Sequence, residues 1–263
     1  MKVQEQQKTP LFAALKKYVE DKTVPFHVPG HKGGKGIPEF RSFVGENILS
    51  IDVTSGILDL DTICNPLGVI HEAEDLAARA FGADFAHFLV NGTTSGIQAM
   101  ILSVAGPGDE IIIPRNAHRS VIGGLILSGV RPVYIKPVID NYMGIAMGIA
   151  PESVRRALVE HPNAKAVFVI NPTYYGIASD LRQIVEIAHS YGKPVIVDEA
   201  HGAHLGFHPD LPLSAMEAGA DMSAASVHKL LGSMTQSSIL LVKSGLIDDR
   251  KVKAAMKIGR AHV

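Results

Sequence analysis

One cysteine, almost no net charge and no long apolar run: the first facts about this chain are what it has little of. A lone Cys64 cannot close an intramolecular disulfide, and it fits a reducing cytoplasm. Its plainest role is that of a small buried hydrophobe. A formal charge of −1 leaves no electrostatic footprint for nucleic acid or an anionic membrane surface. Gly, Pro, Asp or Arg interrupts every apolar stretch before it reaches the ~20 residues a membrane helix needs. Met1 to Thr9 is polar and is followed by no apolar segment of the signal-peptide kind. Repeats and low-complexity tracts are absent as well, so the expected class is a cytoplasmic globular protein.

What is present is a large core. Apolar residues make up 46% of the 263 positions and charged residues 19%, enough for one large α/β domain or two small ones. Seven short runs rich in β-branched residues stand out: 86–90, 110–113, 131–135, 166–170, 194–197, 222–225 and 238–242. Amphipathic helical stretches at 95–105, 120–128, 151–160 and 181–191 lie between most of them. Strands alternating with helices predict a mainly parallel sheet covered on both faces. The runs are nearly all apolar rather than alternating, as strands buried on both sides should be. The link from Ala225 to Ser238 has no crossover-helix pattern, and Gly232-Ser233 reads as a turn. A parallel neighbour needs a connection of about a dozen residues or more, usually a helix. The last strand is therefore expected to run antiparallel. Upstream, Ile70, Ala73, Leu76, Ala77 and Ala80 mark one helix face, with Gly82 placed to cap it.

The two ends differ from the middle. Residues 1–50 carry short helical patterns among Gly/Pro-rich loops and read as an arm. Residues 51–245 form the expected large domain. Residues 246–263 read as the start of a linker helix cut short. The final six residues pack no obvious face and match one reading frame of a common sequencing adapter, so 258–263 is expected to be a non-native tail.

The polar residues that bear chemistry fall at the carboxyl ends of the strands, where open α/β sheets bind ligands. Asn91-Gly92-Thr93-Thr94-Ser95 opens a helix after the first run. Its N–H groups and hydroxyls could cradle a phosphate, or Thr94 or Ser95 could be an ordinary N-cap. His118 follows the second run and could stack on an aromatic ring, or simply sit near a helix start capped by Ser120. Asp198 ends the fifth run, in Asp198-Glu199-Ala200-His201, where it could meet a protonated ring nitrogen or cap a helix. His201, His204 and His208 have a spacing that could suggest a metal, but Gly202 and Gly206 weaken a helix there and no further ligand motif accompanies them. Lys229 follows the sixth run in Ala224-Ala225-Ser226-Val227-His228-Lys229, which is not a typical exposed strand end. A lysine there could hold pyridoxal phosphate as a Schiff base, with Ser226 and His228 near the phosphate; the plainer alternative is a solvated lysine. Each piece alone is weak, and their order along the chain is far more specific.

Taken together these residues resemble a fold-type-I pyridoxal-phosphate enzyme, and more closely the Orn/Lys/Arg decarboxylase family. The resemblance extends to His27-Val28-Pro29-Gly30-His31-Lys32-Gly33-Gly34, to Pro66 through Glu74, and to Asn171-Pro172-Thr173-Tyr174-Tyr175-Gly176. It implies a three-layer α/β large domain with a seven-stranded, mainly parallel sheet and one antiparallel strand. It also implies that a C-terminal small domain is missing. Residue by residue, Lys229 would carry the cofactor, Asp198 would bind the pyridine nitrogen, and His118 would stack on the ring. His201 would lie near the phenolic oxygen. Thr94, Ser95, Ser226 and His228 would hold the phosphate. His31 and Lys32 would lie near a site entrance or subunit contact.

The implied reaction is decarboxylation of a basic amino acid, arginine first, then lysine or ornithine, in polyamine metabolism, by a homodimer or higher homo-oligomer. No metal is expected. Rival readings are an aminotransferase or lyase of the same fold type, a hydrolase with a metal on His201, His204 and His208, and a fragment that binds the cofactor without turnover.

Overall fold

The computed structural model describes residues 3–54 and 56–260, with side chains from Glu5 to Lys257. The chain divides into two compact units, residues 1–77 and 78–262. The 1–50 arm falls inside the first. Residues 261–263 of the expected non-native tail lie outside the described residues, and the backbone of 258–260 is helical.

The first unit is made of short pieces. Helix α1 (Pro10–Glu20) and helix α2 (Pro38–Val44) both begin with proline, whose missing N–H costs nothing at a helix start. Neither buries a side chain. The His27–Gly34 motif is knitted by polar contacts. Tyr18 hydroxyl meets His27 Nε2 at 2.6 Å, His31 Nε2 meets Asp52 at 3.1 Å, and the Gly34 N–H donates to His31 Nδ1 at 3.1 Å. Asp61 gathers the loop before α3 (Val69–Phe81), accepting from the N–H groups of Thr62, Leu67, Gly68 and Ile70 at 2.7–3.2 Å. Burial raises its pKa, but those donors outweigh burial, and the carboxyl lies below its ordinary value.

The second unit starts in the last turn of α3, where Gly82, at φ +70°, ends the helix and Ala83 N–H returns to Ala78 O at 2.9 Å. Seven strands follow: β1 (Phe85–Leu89), β2 (Glu110–Pro114), β3 (Arg131–Ile135), β4 (Val167–Ile170), β5 (Val195–Asp198), β6 (Met222–Ser226) and β7 (Ser238–Val242). Their order in the sheet is β1-β7-β6-β5-β4-β2-β3. Only β7 runs against the rest, pairing antiparallel with β1 and β6. The connection from β6 to β7 is one helical turn (α8, Val227–Leu230) and a loop, too short for a crossover.

Side chains alternate across each strand. Ile111, Ile113, Phe168, Ile196, Met222, Ala224, Leu240 and Val242 share one buried cluster with α4 (Gly92–Val104), α5 (Arg119–Ser128) and α9 (Asp249–Arg260). Val167, Val169, Val195 and Val197, equally buried, lie outside it on the other face, against which α6 (Pro151–Glu160) and α7 (Leu181–Ser190) pack. The result is the expected three-layer α/β architecture. Three details differ from the sequence reading: Cys64, expected to be a small buried hydrophobe, is exposed on a loop of the first unit, and two elements shift. Helix α4 begins at Gly92 rather than at Ser95, and a small ribbon of Ile139–Asp140 with Ile145–Ala146 interrupts the stretch before α6, too short to leave a periodic signal. Among the described residues no helix is long and apolar enough to cross a membrane.

Candidate active site

Five of the strands that run the same way end at one edge of the sheet. The loops that follow them, with Gln236 just before the antiparallel β7, close around a cavity of about 690 Å³. That is the size of a small-molecule or cofactor pocket. Asn91 to Thr94 come from the end of β1, Asn116 and His118 from the end of β2, and Thr173 to Tyr175 from the end of β4. Asp198 and His201 come from the end of β5, and Ser226, His228 and Lys229 from the end of β6. Seven of the eight residues expected to hold the cofactor therefore meet in one place.

Asp198 is buried, 5% exposed, and among the described residues its carboxyl accepts one hydrogen bond from protein, from the N–H of Ala200 at 3.1 Å. Burial pushes its pKa up. That N–H, and electrostatic attraction toward His118 and Lys229, pull it back only partly. A buried carboxyl with so few partners suits a cationic N–H donor delivered by a ligand. Lys229 is exposed to the cavity, with Nζ 3.1 Å from His201 Nε2. His201 stands edge-on to the Tyr174 ring, with centroids 5.4 Å apart. Burial, then the charges of Lys229 and His118, holds the His201 imidazole below its ordinary pKa. A neutral imidazole can exchange a proton with the Lys229 amine.

His118 plays a different local part from the one expected of Ser120. His118 is itself the N-cap of α5, and its Nδ1 accepts from the Ser120 N–H at 3.2 Å and lies 2.8 Å from the Ser120 hydroxyl. That leaves the proton on Nε2 and fixes the tautomer. His228 Nδ1 donates to Ser237 O at 2.8 Å, so Nε2 faces outward as an acceptor or, when protonated, a donor. Helix α4 has no side-chain cap, so its first-turn N–H groups have no partner from Asn91. They lie at the cavity, a favourable end for an anion.

Ser95 is the exception among the expected residues. It is not part of the cavity wall, because its hydroxyl turns back along its own helix to Gly92 O at 2.9 Å. The neighbour that sequence reasoning missed is Thr93, 8% exposed, whose hydroxyl lies 2.6 Å from Ser226 Oγ and 2.8 Å from Ser238 Oγ. Tyr174, Tyr175 and Gln236 were also missed as cavity residues. The three histidines weighed for a metal do not converge. His201 faces Lys229, while His208 is exposed beside Asp210, 3.9 Å away. No group of three His, Cys, Asp or Glu among the described residues could hold a metal ion.

The geometry defines a class first: an α/β large domain whose sheet edge offers an amine, a buried carboxyl and an anion-binding helix start around one cavity. N-succinyldiaminopimelate aminotransferase from Mycobacterium tuberculosis shares the fold, at TM-score 0.59 and 19% identity over 95% of this chain and 58% of its own. The sequence then places the chain more narrowly. It belongs to the Orn/Lys/Arg decarboxylase family, whose major domain matches residues 9–260. Arginine decarboxylase of Bacillus subtilis is 55% identical over 254 residues, covering 96% of this chain and 52% of that protein. The lysine decarboxylase LdcF of Francisella novicida superposes at TM-score 0.85 with 27% identity, over 95% of this chain and 37% of its own. The chain thus spans about half the length of the curated arginine decarboxylase it matches.

Proposed function

We propose that this chain is the cofactor-binding part of an enzyme that removes the α-carboxylate of a basic amino acid with pyridoxal phosphate. Arginine is the first substrate, lysine or ornithine the next. One observation carries the reading: the Lys229 amine and the buried Asp198 carboxyl open into the same cavity. Pyridoxal phosphate, when bound, supplies an aldehyde that captures amines and a protonated ring that accepts electrons.

The protein's part is placement and charge. Lys229 would hold the aldehyde carbon, and His201 at 3.1 Å would take or return the proton that the amine must shed. Asp198 would keep the ring nitrogen protonated, since an ionised carboxylate can only accept a hydrogen bond and so needs an N–H facing it. His118 would cover one ring face, fixed in rotamer and tautomer by Ser120. The first turn of α4 with Thr93 and Thr94, together with Ser226 and His228, would hold the phosphate. Tyr174 would hold the His201 ring upright. A low-dielectric floor at Asp198 strengthens each of these charges.

Arginine leads because the Bacillus subtilis protein, at 55% identity, is an arginine decarboxylase, and the lysine decarboxylase is the more distant likeness. A homodimer in the cytoplasm completes the proposal. The test is product analysis on the full-length protein that contains this chain. Arginine should yield agmatine and carbon dioxide in equal amounts. A keto acid would instead support an aminotransferase and reject the proposal, and turnover of lysine alone would move the substrate, not the reaction.

A further inference from the structure

Asp198 and Glu199 are adjacent carboxylates with opposite surroundings. Successive side chains of an extended strand point to opposite faces. Asp198 therefore opens into the cavity, and Glu199 enters the protein behind it, 2% exposed and outside the cavity wall. Each Glu199 oxygen takes one short hydrogen bond. Ala215 N–H donates to Oε1 at 2.7 Å and the fully buried Ser223 hydroxyl donates to Oε2 at 2.7 Å. The backbone is tied at the same point, Glu199 N–H to Ala224 O at 3.0 Å and Gly202 N–H to Glu199 O at 2.8 Å. Glycine is required at 202, since a Cβ there would lie 2.6 Å from Glu199 Cγ and 2.7 Å from Pro172 Cδ. The turn 198–202 is thus wrapped around the Glu199 side chain. The same turn carries Asp198 and His201, and the strand that Glu199 grips, β6, ends in Ser226, two residues before His228 and three before Lys229.

We propose that Glu199 is a positioning residue that locks the Asp198–His201 turn against β6 and so sets the distance between the carboxyl at the cavity floor and the Lys229 amine. It touches neither substrate nor cofactor and acts through its neighbours. The proposal rests on the assignment of Asp198, His201 and Lys229 to the cofactor site.

The test compares Glu199→Ala, Glu199→Gln and Ser223→Ala in the full-length protein. In the cofactor-free form, deuterium exchange at the Ala215 and Gly202 amides should accelerate in Glu199→Ala and return to wild-type rates in Glu199→Gln, whose amide can accept from Ala215 and donate to Ser223. In the loaded form, well below the melting temperature, Glu199→Ala should lower kcat roughly 10- to 100-fold with little change in KM, as a small misplacement of catalytic groups does. Gln should restore it. A folded Glu199→Ala protein with wild-type exchange and wild-type kcat, or one that loses only melting temperature, overturns the proposal. If Glu199→Ala does not fold, Ser223→Ala decides by the same two readouts. If wild-type protein binds no pyridoxal phosphate, the functional assignment fails, and the exchange data still settle whether Glu199 holds the turn.

Discussion

The two units of this chain solve the burial problem differently. In residues 78–262 whole strands vanish from solvent: Ile111, Ile112, Ile113, Val167, Phe168 and Val169 are each 0% exposed. In residues 1–77 the two longer helices before α3 bury nothing, and Phe26, Phe43 and Leu58 are 95%, 89% and 96% exposed. Polar contacts around His31 and Asp61 organise the first unit, and apolar packing organises the second. The difference teaches where a site can be built. Placing an amine, an imidazole and a carboxyl to within fractions of an ångström needs a rigid frame, and here the frame is a sheet sealed on both faces.

The contrast can be broken most directly in the cores. Phe168→Ala should cost roughly 3–5 kcal/mol, from lost burial plus the cavity left behind. Phe43→Ala should stay within about 0.5 kcal/mol, as exposed substitutions do. Paired denaturant melts measure both, and equal losses would erase the distinction. Next in size is Asp198→Ala, expected to lower kcat by roughly 100-fold, as loss of one preorganised electrostatic group does. Melting temperature should change little or rise, because an underpaired buried carboxyl is costly to keep. An unchanged rate would remove Asp198 from the chemistry.

The smallest effect is a pair of opposite pH responses. Glu199 is pushed up to about 7 by burial, against the pull of its Ser223 and Ala215 donors. The folded state then binds a proton that the unfolded chain has released, so stability contributed here falls as pH rises from about 4.5 toward 7. Glu199→Gln should flatten that slope in melts across the window. Asp61 has the other sign. Its pKa is lowered below 3.8, so its contribution is present above that value and is lost as pH falls through the folded pKa. Asp61→Asn should therefore cost stability at neutral pH and nothing in strong acid. Slopes of the same sign at both residues would contradict the assignment of their surroundings.

Much of the second unit was legible in the sequence because its strands are continuous apolar runs, and a strand buried on both faces has no other way to read. The antiparallel β7 was legible from what Ala225–Ser238 lacks. The ribbon at 139–146 was hidden because two-residue strands leave no period. At the site, residue types and order brought seven of eight positions together, yet local direction was not readable. Thr93, Thr94 and Ser95 look alike in sequence. Only the helix start at Gly92, with its φ of +65°, sends Thr93 toward Ser226 and turns Ser95 back on its own turn. Asp198 and Glu199 are equally alike, and the missed signal was the two-residue alternation of a strand carried one step past its end.

The proposed covalent tie at Lys229 is open to direct measurement. The measurement is borohydride reduction of the purified full-length protein incubated with pyridoxal phosphate, followed by peptide mapping. One reduced pyridoxyl group per chain, carried by the peptide containing Lys229 and absent from Lys229→Ala, is the predicted result. A protein that takes up no label, or carries it on another lysine while Lys229 stays unmodified, would contradict it.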